Sequence, residues 1–443
     1  MILLYPHQEA ALKATDGQNR VAYYLDMGLG KTFVGAEKAV RMKKRINLVV
    51  CQKSKVQDWV DHFEEHYPDF AVWNLTDKKE FDSFIEPRIE PWDHVAVINY
   101  DLMWRRKQLL QLKDFTMILD ESSLIQNTTS KRCKFILKMN PANVILLSGT
   151  PTGGKYENLW SQLHLLGWDI SEKIYNTHYV NWKKIFVGGM VHKIVDKKDP
   201  YKNTERLKQK MREHGAVFMK TDEVFDLPEQ NFIRINVPVT KEYKKFTKDH
   251  LITIDTKYLC EFVDDSDFFG RDMTPRVELV GDSLLSYRLY QRQLCTAYNP
   301  HKIQAFTDLL ESTQDRLIVF YQYNCELDAL KAVCDASERP VSVVNGSVKD
   351  LSAYEEESNS VTFVQYQAGA MGLNLQKANK IVYFSLTEES ELFEQSKKRI
   401  HRIGQNRPCF YYLMICDNSI EDKEILPMLN VRKERTDELF ESV

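Results

Sequence analysis

The stretch VAYYLDMGLGKTFVGAEKAVRMKK, residues 21–44, decides the fold. It begins with a short apolar run of the kind that builds a buried strand, and residues 31–44 carry apolar side chains at helical spacing. Between them, Gly28 and Gly30 let the backbone curl so that successive N–H groups converge on an anion. The start of the helix adds its partial positive charge at the same place. A strand, a loop and a helix in this order predict a phosphate-binding loop.

The chemistry of this loop predicts ATP and Mg²⁺ as cofactors. We expect Lys31 to reach the β- and γ-phosphates and the hydroxyl of Thr32 to ligate Mg²⁺. The predicted nucleotide contacts of the loop are Met27, Gly28, Leu29, Gly30, Lys31 and Thr32. Nearer the start of the chain, the side-chain amide of Gln8 could read an adenine edge. A glycine turn that only caps a helix is the alternative interpretation of the loop.

Outward from this stretch, apolar runs alternate with amphipathic stretches in both halves of the chain. Further strands are predicted in the first half at 47–51, 94–99, 116–119 and 143–148, and in the second half at 316–321, 341–346, 361–365, 380–385 and 410–416. Such alternation is typical of right-handed βαβ units. The sequence therefore predicts an α/β protein with two lobes that contain parallel sheets, joined by a partly helical middle region.

The length of the chain agrees with this division, since 443 residues are too many for one ordinary domain. The predicted parts are an ATP-binding lobe at 1–225 with a helical insertion at about 165–215, a linker and helical protrusion at 226–300, and a second lobe at 301–443. The formal net charge is −3, so any binding to nucleic acid must come from local clusters of basic residues.

Other features of the composition exclude classes of protein. The eight cysteines include no CxxC pair, which argues against a zinc site and a disulfide framework. The N-terminal residues lack the charged and apolar regions of a signal peptide, and no segment has the ~18 uninterrupted apolar residues that a membrane span needs. We therefore expect a cytoplasmic protein with no membrane partner.

Two further stretches follow predicted strands of the first half and carry candidate catalytic groups. In MILDESS, Asp120 would hold Mg²⁺ through its water shell and Glu121 would take the proton of the attacking water. An acidic pair that only caps a helix is the alternative. In LLSGTPTGG, Ser148 and Thr150 could bond the acidic pair and the other lobe, or they could form an ordinary turn.

The stretch QSKKRIHRIGQ, residues 395–405, is the basic counterpart in the second half. On a helix, Gln395, Arg399 and Arg402 would share one face. We predict that both arginines reach the γ-phosphate when the lobes close, which would couple hydrolysis to lobe motion. The residues left as polynucleotide or surface contacts are Lys397, Lys398 and His401. A solvated basic helix is the alternative.

Taken together, these motifs resemble those of the Swi/Snf family of superfamily 2 helicase-like ATPases. The motifs that carry the resemblance are, in chain order, LYPHQ, DMGLGKT, VVCQKSKVQDW, VINYDLM, LDESSLIQN, LSGTPTGGKYENLW, FMKTDEVFDLP, IVFYQY, VNGSVKD, AGAMGLNLQKA and QSKKRIHRIGQ. Their collinear order covers nearly the whole chain and is more specific than any single motif. The resemblance implies two RecA-like lobes and ATP hydrolysis stimulated by double-stranded DNA, with translocation along the duplex.

The chain departs from the family at several positions. Ser123 stands where the family usually has a histidine that bridges the lobes, and Gln52 stands where a proline is usual. Ser385 and the stretch TEESE replace an Asp and a Trp-Asn-Pro, which we expect to affect packing more than chemistry. The chain resembles a minimal motor of bacteria or their viruses, so the cytoplasm of a bacterial or phage-infected cell is the expected location.

The resemblance implies contacts with DNA phosphates from loops on the face of both lobes away from the nucleotide. The predicted contacts are Lys53, Ser54, Asn99, Tyr100, Gln322, Tyr323, Gly369 and Asn374, and Gly372 is predicted to contact the nucleotide. Residues 183–212 form the best local basic patch, in which Lys183 and Lys184 are candidate contacts with the duplex. A solvated, lysine-rich helical face is the alternative. The acidic run at 261–269 should lie away from DNA or compete for the same groove.

The leading hypothesis is an ATP-dependent translocase on double-stranded DNA, with RNA a weaker candidate. A strand-separating helicase is an alternative, and a short hairpin could lie within residues 186–192. A nucleic-acid binding protein with an inactive ATPase is an alternative of another class, although the intact GKT, acidic pair and two arginines argue against it. The sequence leaves the identity of any protein partner unknown.

Overall fold

The computed structural model describes residues 3–86, 92–187, 190–255, 276–369 and 373–441. The contacts divide the chain into two compact units, Met1–Phe225 with Arg432–Val443, and Asp226–Val431. The predicted division at 1–225, 226–300 and 301–443 differs from these units in two ways, because it separates 226–300 from the second lobe and groups 432–443 with that lobe. It stays a prediction.

A seven-stranded parallel sheet forms the centre of the first unit. Across the sheet, its strands are β3 (Phe70–Asn74), β4 (Asp93–Asn99), β2 (Ile46–Cys51), β5 (Thr116–Asp120), β6 (Asn143–Leu147), β1 (Arg20–Leu25) and β9 (Ala216–Met219). The helices of this unit are α1 (Pro6–Ala14), α2 (Lys31–Arg41), α3 (Val56–His66), α4 (Lys78–Ile85), α5 (Tyr100–Met103), α6 (Lys131–Ile136), α7 (Trp160–Leu165), α8 (Glu172–Tyr179) and α9 (Thr204–Glu213).

Strand β1 shows why apolar runs predicted this sheet. Ala22 and Tyr24 pack into the core on one face of the sheet, whereas Val21, Tyr23 and Leu25 pack into the core on the other. Because helices cover both faces of a parallel sheet, its central strands read as unbroken apolar runs. The short edge strands β3 and β9 were not predicted, since β3 is only partly buried and β9 has four residues.

The second unit is built on another seven-stranded sheet. Across the sheet, its strands are β10 (Gln230–Val237), β18 (Cys409–Cys416), β17 (Lys380–Tyr383), β13 (Leu317–Tyr321), β16 (Val361–Gln365), β14 (Val341–Val344) and β15 (Lys349–Asp350). The pairs are parallel except for β14 with β15. The two sheets confirm the predicted α/β fold with two parallel-sheet lobes.

The helices of the second unit lie along the chain between these strands. They are α10 (Lys241–Asp249), α11 (Leu284–Cys295), α12 (Pro300–Glu311), α13 (Asn324–Ala336), α14 (Ser352–Glu356), α15 (Tyr366–Gly369), α16 (Ser390–Lys397) and the start of α17 (Leu426–Phe440). From Arg432 onward, α17 belongs to the first unit. Among the described residues, no helix is long and apolar enough to cross a membrane.

The middle of the chain is partly helical, as predicted, but it also contains two β hairpins. In the first unit, β7 (Trp182–Val187) pairs antiparallel with β8 (Met190–Val195) between α8 and α9. In the second unit, β11 (Leu251–Asp255) pairs antiparallel with β12 (Arg276–Val280). The predicted helical insertion was therefore wrong for the residues of β7 and β8. The acidic run at 261–269 lies outside the described residues.

Candidate nucleotide site and nucleic-acid surfaces

The predicted phosphate loop joins β1 to α2 in the first unit. Gly28 and Gly30 have φ angles of 89° and 74°, a region that residues with side chains rarely adopt. A Cβ on Gly30 would lie 2.1 Å from the amide nitrogen of Gln8, whereas within the described part of the chain nothing lies within 4 Å of a Cβ on Gly28. The amide of Gln8 therefore leaves no room for a side chain at residue 30. The backbone at Gly28 faces open space that a phosphate could fill.

Lys31 extends back along the loop from the first turn of α2. Its Nζ donates to the carbonyl oxygen of Leu25 at 3.1 Å. The same nitrogen lies 3.3 Å from the position that a Cβ on Gly149 would occupy. Lys31 therefore lies between the phosphate loop and the turn that follows β6, and among the described residues its ammonium group is bonded to neutral main-chain oxygens.

The start of the loop is anchored by Thr221, which follows β9. The carboxylate of Asp26 accepts from the Met27 backbone N–H at 2.8 Å and from the Thr221 hydroxyl at 2.9 Å. The backbone N–H of Asp26 donates to the carbonyl of Met219 at 2.9 Å. Sequence reasoning missed Thr221, because its motif FMKTDEV signals only a family resemblance and no particular chemistry.

Gln8 is buried against the same loop. Its amide oxygen accepts from the Tyr5 backbone N–H at 2.9 Å, and its amide nitrogen donates to the Leu29 carbonyl at 3.2 Å. Each end of the amide thus already has a protein partner, so contact with adenine would use the remaining hydrogen and lone pair. Adenine reading by Gln8 stays a prediction.

The acidic pair lies at the end of β5. The indole N–H of Trp59 donates to the carboxylate of Asp120 at 2.9 Å, and the Tyr100 hydroxyl donates to the Asp120 main-chain carbonyl at 2.9 Å. Burial raises the pKa of the Asp120 carboxyl, and the Trp59 bond and the charge of Lys31 oppose this shift. A desolvated carboxylate near the hydroxyl-bearing phosphate loop offers hard oxygen ligands, so Thr32 and Asp120 fit Mg²⁺ chemically.

Glu121 adopts a left-handed backbone conformation with a φ of 51°. The hydroxyl of Ser148 donates to its carboxylate at 3.4 Å, and the Thr150 backbone N–H donates to Ser148 Oγ at 3.1 Å. The predicted bond between Ser148 and the acidic pair is therefore present. Among the described residues, the Thr150 hydroxyl has no hydrogen-bond partner.

Gln162, on α7, connects three parts of this site and was not predicted. Its amide oxygen accepts from the Ser122 hydroxyl at 2.7 Å and from the Tyr24 hydroxyl at 3.1 Å, and its amide nitrogen donates to the Pro151 carbonyl at 2.7 Å. Burial raises the pKa of Tyr24, so that its hydroxyl remains a donor. Within NLWSQL, a glutamine looks like an ordinary helix residue, so no sequence signal marks this role.

The stretch 395–405 of the second unit differs from its prediction. Helix α16 ends at Lys397, so the prediction that Gln395, Arg399 and Arg402 share one helical face was wrong. Gln395 and Arg399 are buried, and Arg399 Nη1 lies 3.4 Å from the Leu373 carbonyl oxygen. Beyond Lys397, the Gln405 amide donates to the carbonyls of Gln376 and Ala378, so the end of the motif packs onto its own unit. The predicted γ-phosphate contact of the arginines stays a prediction.

Arg402 is only half-buried in this turn. Burial lowers the pKa of its guanidinium, and within the described part of the chain it has no ion-pair partner. Lys397 and His401 are instead bonded internally, Lys397 to Glu394 at 2.5 Å and His401 to the Pro228 carbonyl at 2.9 Å. Arg402 is therefore better placed than these two basic residues to meet an outside anion.

Several predicted DNA contacts of the first unit lie around one groove. Lys53 and Ser54 are exposed in the turn after β2. Lys53 and Asn99 line a cavity of about 550 Å³ with Arg105, at the carboxyl ends of β2, β3 and β4. Tyr100 is a correction, because its buried side chain bonds the carbonyl of Asp120 and does not line this groove.

The predicted contacts of the second unit are arranged differently. The backbone N–H groups of Gln322 and Tyr323 donate to the buried Glu326 carboxylate at 2.8 and 3.2 Å, and the Ser385 hydroxyl donates to it at 2.9 Å. Both backbone N–H groups therefore already donate to Glu326, so a phosphate at this position could contact only the side chains of Gln322 and Tyr323. The expectation that Ser385 affects packing more than chemistry stays a prediction. Gly369 ends α15, Asn374 is exposed, and Gly372 lies outside the described residues.

The predicted basic patch does not form one helical face. Lys183 and Lys184 lie on strand β7, and Lys183 pairs with Asp196 at 2.7 Å. On α9, Lys208 is buried and pairs with Glu205 at 3.0 Å. The alternative of a solvated helical face was therefore wrong for the lysines on β7.

A separate polar cluster lies in the core of the second unit. The thiols of Cys295 and Cys416 and the carboxylate of Glu421 are close enough to hold a metal ion. The ammonium of the fully buried Lys302 already lies 2.9 and 2.8 Å from the two Glu421 oxygens. Because this ion pair satisfies the carboxylate, the cluster is explained as internal charge neutralisation.

Comparison with protein families agrees with a chain made of two helicase-type parts. Residues 25–299 match the model of the SNF2-related domain, and residues 301–404 match the helicase conserved C-terminal domain. The first match covers more than half of the chain. This chain belongs to the Swi/Snf family of helicase-like ATPases, as the motifs predicted.

Individual relatives are distant. The chain is 23% identical over 440 residues to the mouse "SWI/SNF-related matrix-associated actin-dependent regulator of chromatin subfamily A member 1", covering 90% of this chain and 39% of the relative. It is 23% identical over 444 residues to the "Putative ATP-dependent helicase/translocase YwqA" of Bacillus subtilis, covering 94% of this chain and 46% of the relative. The chain thus spans less than half the length of these relatives.

Among solved structures, the "Sulfolobus solfataricus SWI2/SNF2 ATPase core in complex with dsDNA" aligns with 98% of this chain and 92% of its own. The identity is 18% and the TM-score is 0.43.

Proposed function

We propose that this chain is an ATP-dependent translocase on double-stranded DNA. The observation that carries the proposal is the polar network at the ends of β1, β5 and β6. There the positive charge of the Lys31 ammonium favours the ionised form of the Asp120 carboxyl, and the Ser148 hydroxyl donates to the Glu121 carboxylate. The names of two relatives, which describe an ATPase and a putative helicase or translocase, also support the proposal.

The groups of this network have roles that suit phosphoryl transfer. The Lys31 ammonium would exchange its neutral carbonyl partner for phosphate oxygens. Thr32 and Asp120 would hold Mg²⁺, which neutralises phosphate charge when it is bound. Glu121, oriented by Ser148, would accept the proton of the attacking water.

The second unit would complete the chemistry through its arginine motif. We keep the proposal that Arg399 and Arg402 meet the γ-phosphate, supported by the buried guanidinium of Arg399 and by the lack of an ion-pair partner for Arg402 within the described residues. Gln395 is proposed to act beside them. If the transition-state charge on the γ-phosphate is stabilised only when these arginines reach it, hydrolysis is coupled to the movement that brings them there.

The DNA half of the proposal is supported by the groove on the first unit. It combines Lys53 and Arg105 with the amide of Asn99 and the carboxylate of Asp101 at one edge of the sheet. Cations and amides suit sequence-independent contact with a phosphate backbone. Sequence reasoning missed Arg105, which follows a predicted strand by several residues and has no motif of its own. The bacterial or phage-infected cytoplasm remains the proposed location.

ATP hydrolysis measured with duplex DNA, single-stranded DNA and RNA of one sequence tests the proposal. We expect duplex DNA to stimulate most. Lys31→Ala should lower turnover by at least about 100-fold, the scale of losing one charge-stabilising donor. Lys138→Ala, at an exposed lysine of the same unit, is the matched control and should leave turnover unchanged. Equal hydrolysis with all three nucleic acids and with none would refute the proposal.

A further inference from the structure

The hairpin of β7 and β8 has a face that the proposed function does not use. The strand pairing places Trp182 opposite Val195, Lys184 opposite Lys193, and Phe186 opposite Val191. Because alternate residues of a strand point to the same side, these side chains share one side of the hairpin. The hairpin face is defined here as Trp182, Lys184, Phe186, Val191, Lys193 and Val195.

One end of the hairpin face is anchored and the other is exposed. Val195 packs against the core of the first unit, and a bridge between Val180 and Tyr201 closes the base of the hairpin. Farther along, Phe186 is 79% exposed and Val191 is 53% exposed. An aromatic ring with this exposure is stabilised little by the fold itself, and a ligand that covered the ring would bury most of its surface.

The charges on this face are not neutralised by the protein. Lys184 lies directly opposite Lys193, and like charges in this position destabilise a strand pair. Within the described residues, neither lysine has an ion-pair partner, whereas Lys183 on the other side of the hairpin binds Asp196 at 2.7 Å. An anion between Lys184 and Lys193 would relieve their repulsion.

We infer that the hairpin face binds single-stranded nucleic acid. Phe186 stacks on an unpaired base, and Lys184 and Lys193 hold the neighbouring phosphate. Exposed aromatic rings beside cations form the usual sequence-tolerant site for single strands. In a duplex the base faces are stacked on one another, so Phe186 requires an unpaired base. Docking of an apolar protein surface is disfavoured, because it would bury two lysine charges without partners.

This inference rests on the proposed function only in that the chain works on nucleic acid. It adds an activity to duplex translocation, namely holding a strand that has left the duplex. The chain would therefore favour substrates with an unpaired strand, such as forks, over blunt duplexes.

Fluorescence anisotropy of the full chain with a labelled oligo-thymidine, and with a labelled blunt duplex, tests the inference. Phe186→Ala should weaken oligo-thymidine binding by about 10-fold, the scale of removing one base stack. Phe186→Trp should keep the affinity. The matched control is Met190→Ala, which removes a 67% exposed apolar side chain from the opposite side of the same hairpin and should change nothing.

The salt dependence of oligo-thymidine binding tests the role of Lys184 and Lys193. Replacing Lys184 and Lys193 by Gln should flatten the plot of log affinity for oligo-thymidine against log salt. The slope should fall by about 0.7 for each phosphate that the lysines no longer neutralise. Replacing both by Arg should restore the slope.

The inference is overturned if wild type fails to bind oligo-thymidine, or binds it equally well without Phe186. It is also overturned if Phe186→Ala weakens duplex binding as much as oligo-thymidine binding, since the face would then grip a duplex. Failure of the proposed function is a different result, namely no stimulation of wild-type ATP hydrolysis by duplex DNA. That result would leave the oligo-thymidine affinities unchanged.

Discussion

Trp59 and Gln162 were not predicted as site residues, although Trp59 ends the motif VVCQKSKVQDW, yet both bond to parts of the candidate nucleotide site. Trp59 bonds the Asp120 carboxylate, and Gln162 joins Tyr24, Ser122 and the turn after β6. Sequence reasoning found the charged groups, because few alternatives explain a GKT and an acidic pair after strands. It could not find their supports, because a tryptophan or glutamine on a helix carries no chemistry of its own until the fold brings it to a partner.

Replacing Trp59 by Phe should shift the pH dependence of Mg²⁺ use. The indole N–H favours the charged carboxylate, so its loss raises the pKa of Asp120 further above its usual value. Asp120 is then protonated at a higher pH than in wild type, and Mg²⁺ competes less well as pH falls. We expect the half-saturating Mg²⁺ concentration at the acid end to rise by about 10-fold, the scale of one bond to a charged group.

The measurement is the Mg²⁺ dependence of ATP hydrolysis across a pH series. The matched control is Trp160→Phe, whose indole N–H donates to the Ile170 carbonyl at 2.8 Å away from the acidic pair. An identical pH dependence in both variants would show that Trp59 does not tune Asp120.

At the scale of elements, the turn after β6 is packed against the last helix. The Tyr156 hydroxyl donates to the Arg435 carbonyl at 2.7 Å, and Gly154, with a φ of 74°, faces the backbone of Arg432. The C-terminal part of α17 therefore supports the loop that carries Ser148. The sequence pattern predicted the strand and its turn but not this contact, because it joins residues nearly three hundred positions apart.

Gly154→Ala should destabilise this packing. A Cβ at this position would lie 2.3 Å from the Arg432 carbonyl oxygen, in addition to the strain of a left-handed backbone. Gly17→Ala separates the two effects, because Gly17 has a φ of 70° and, among the described residues, no atom within 4 Å of its Cβ position. We expect about 1 kcal/mol of destabilisation from strain in Gly17→Ala and about 2 kcal/mol more from overlap in Gly154→Ala.

The readouts are the thermal unfolding midpoint and tryptic cleavage within residues 432–441. Cleavage there should speed up in Gly154→Ala alone. Equal stability and equal cleavage in the two variants would mean that α17 does not support this turn.

At the scale of the whole molecule, the fold could be predicted from apolar runs, since strands such as β1 and β13 are buried on both faces and leave little ambiguity. For strands β7 and β8, the sequence suggested no more than a short hairpin within residues 186–192, because lysines interrupt their apolar residues. Where a motif fixes the local geometry, as at Lys31, the strand, loop and helix lie where the sequence predicted them. The prediction was wrong where tertiary packing decides, as for Tyr100, which points inward, and for the chain after Lys397, which leaves the helix.

Displacement of a third DNA strand from a triplex tests most directly whether ATP drives movement along a duplex. We predict that wild type with ATP removes the third strand, and that Lys31→Ala, or wild type with a non-hydrolysable ATP analogue, does not. Hydrolysis that duplex DNA stimulates while the third strand stays bound would contradict the translocase account.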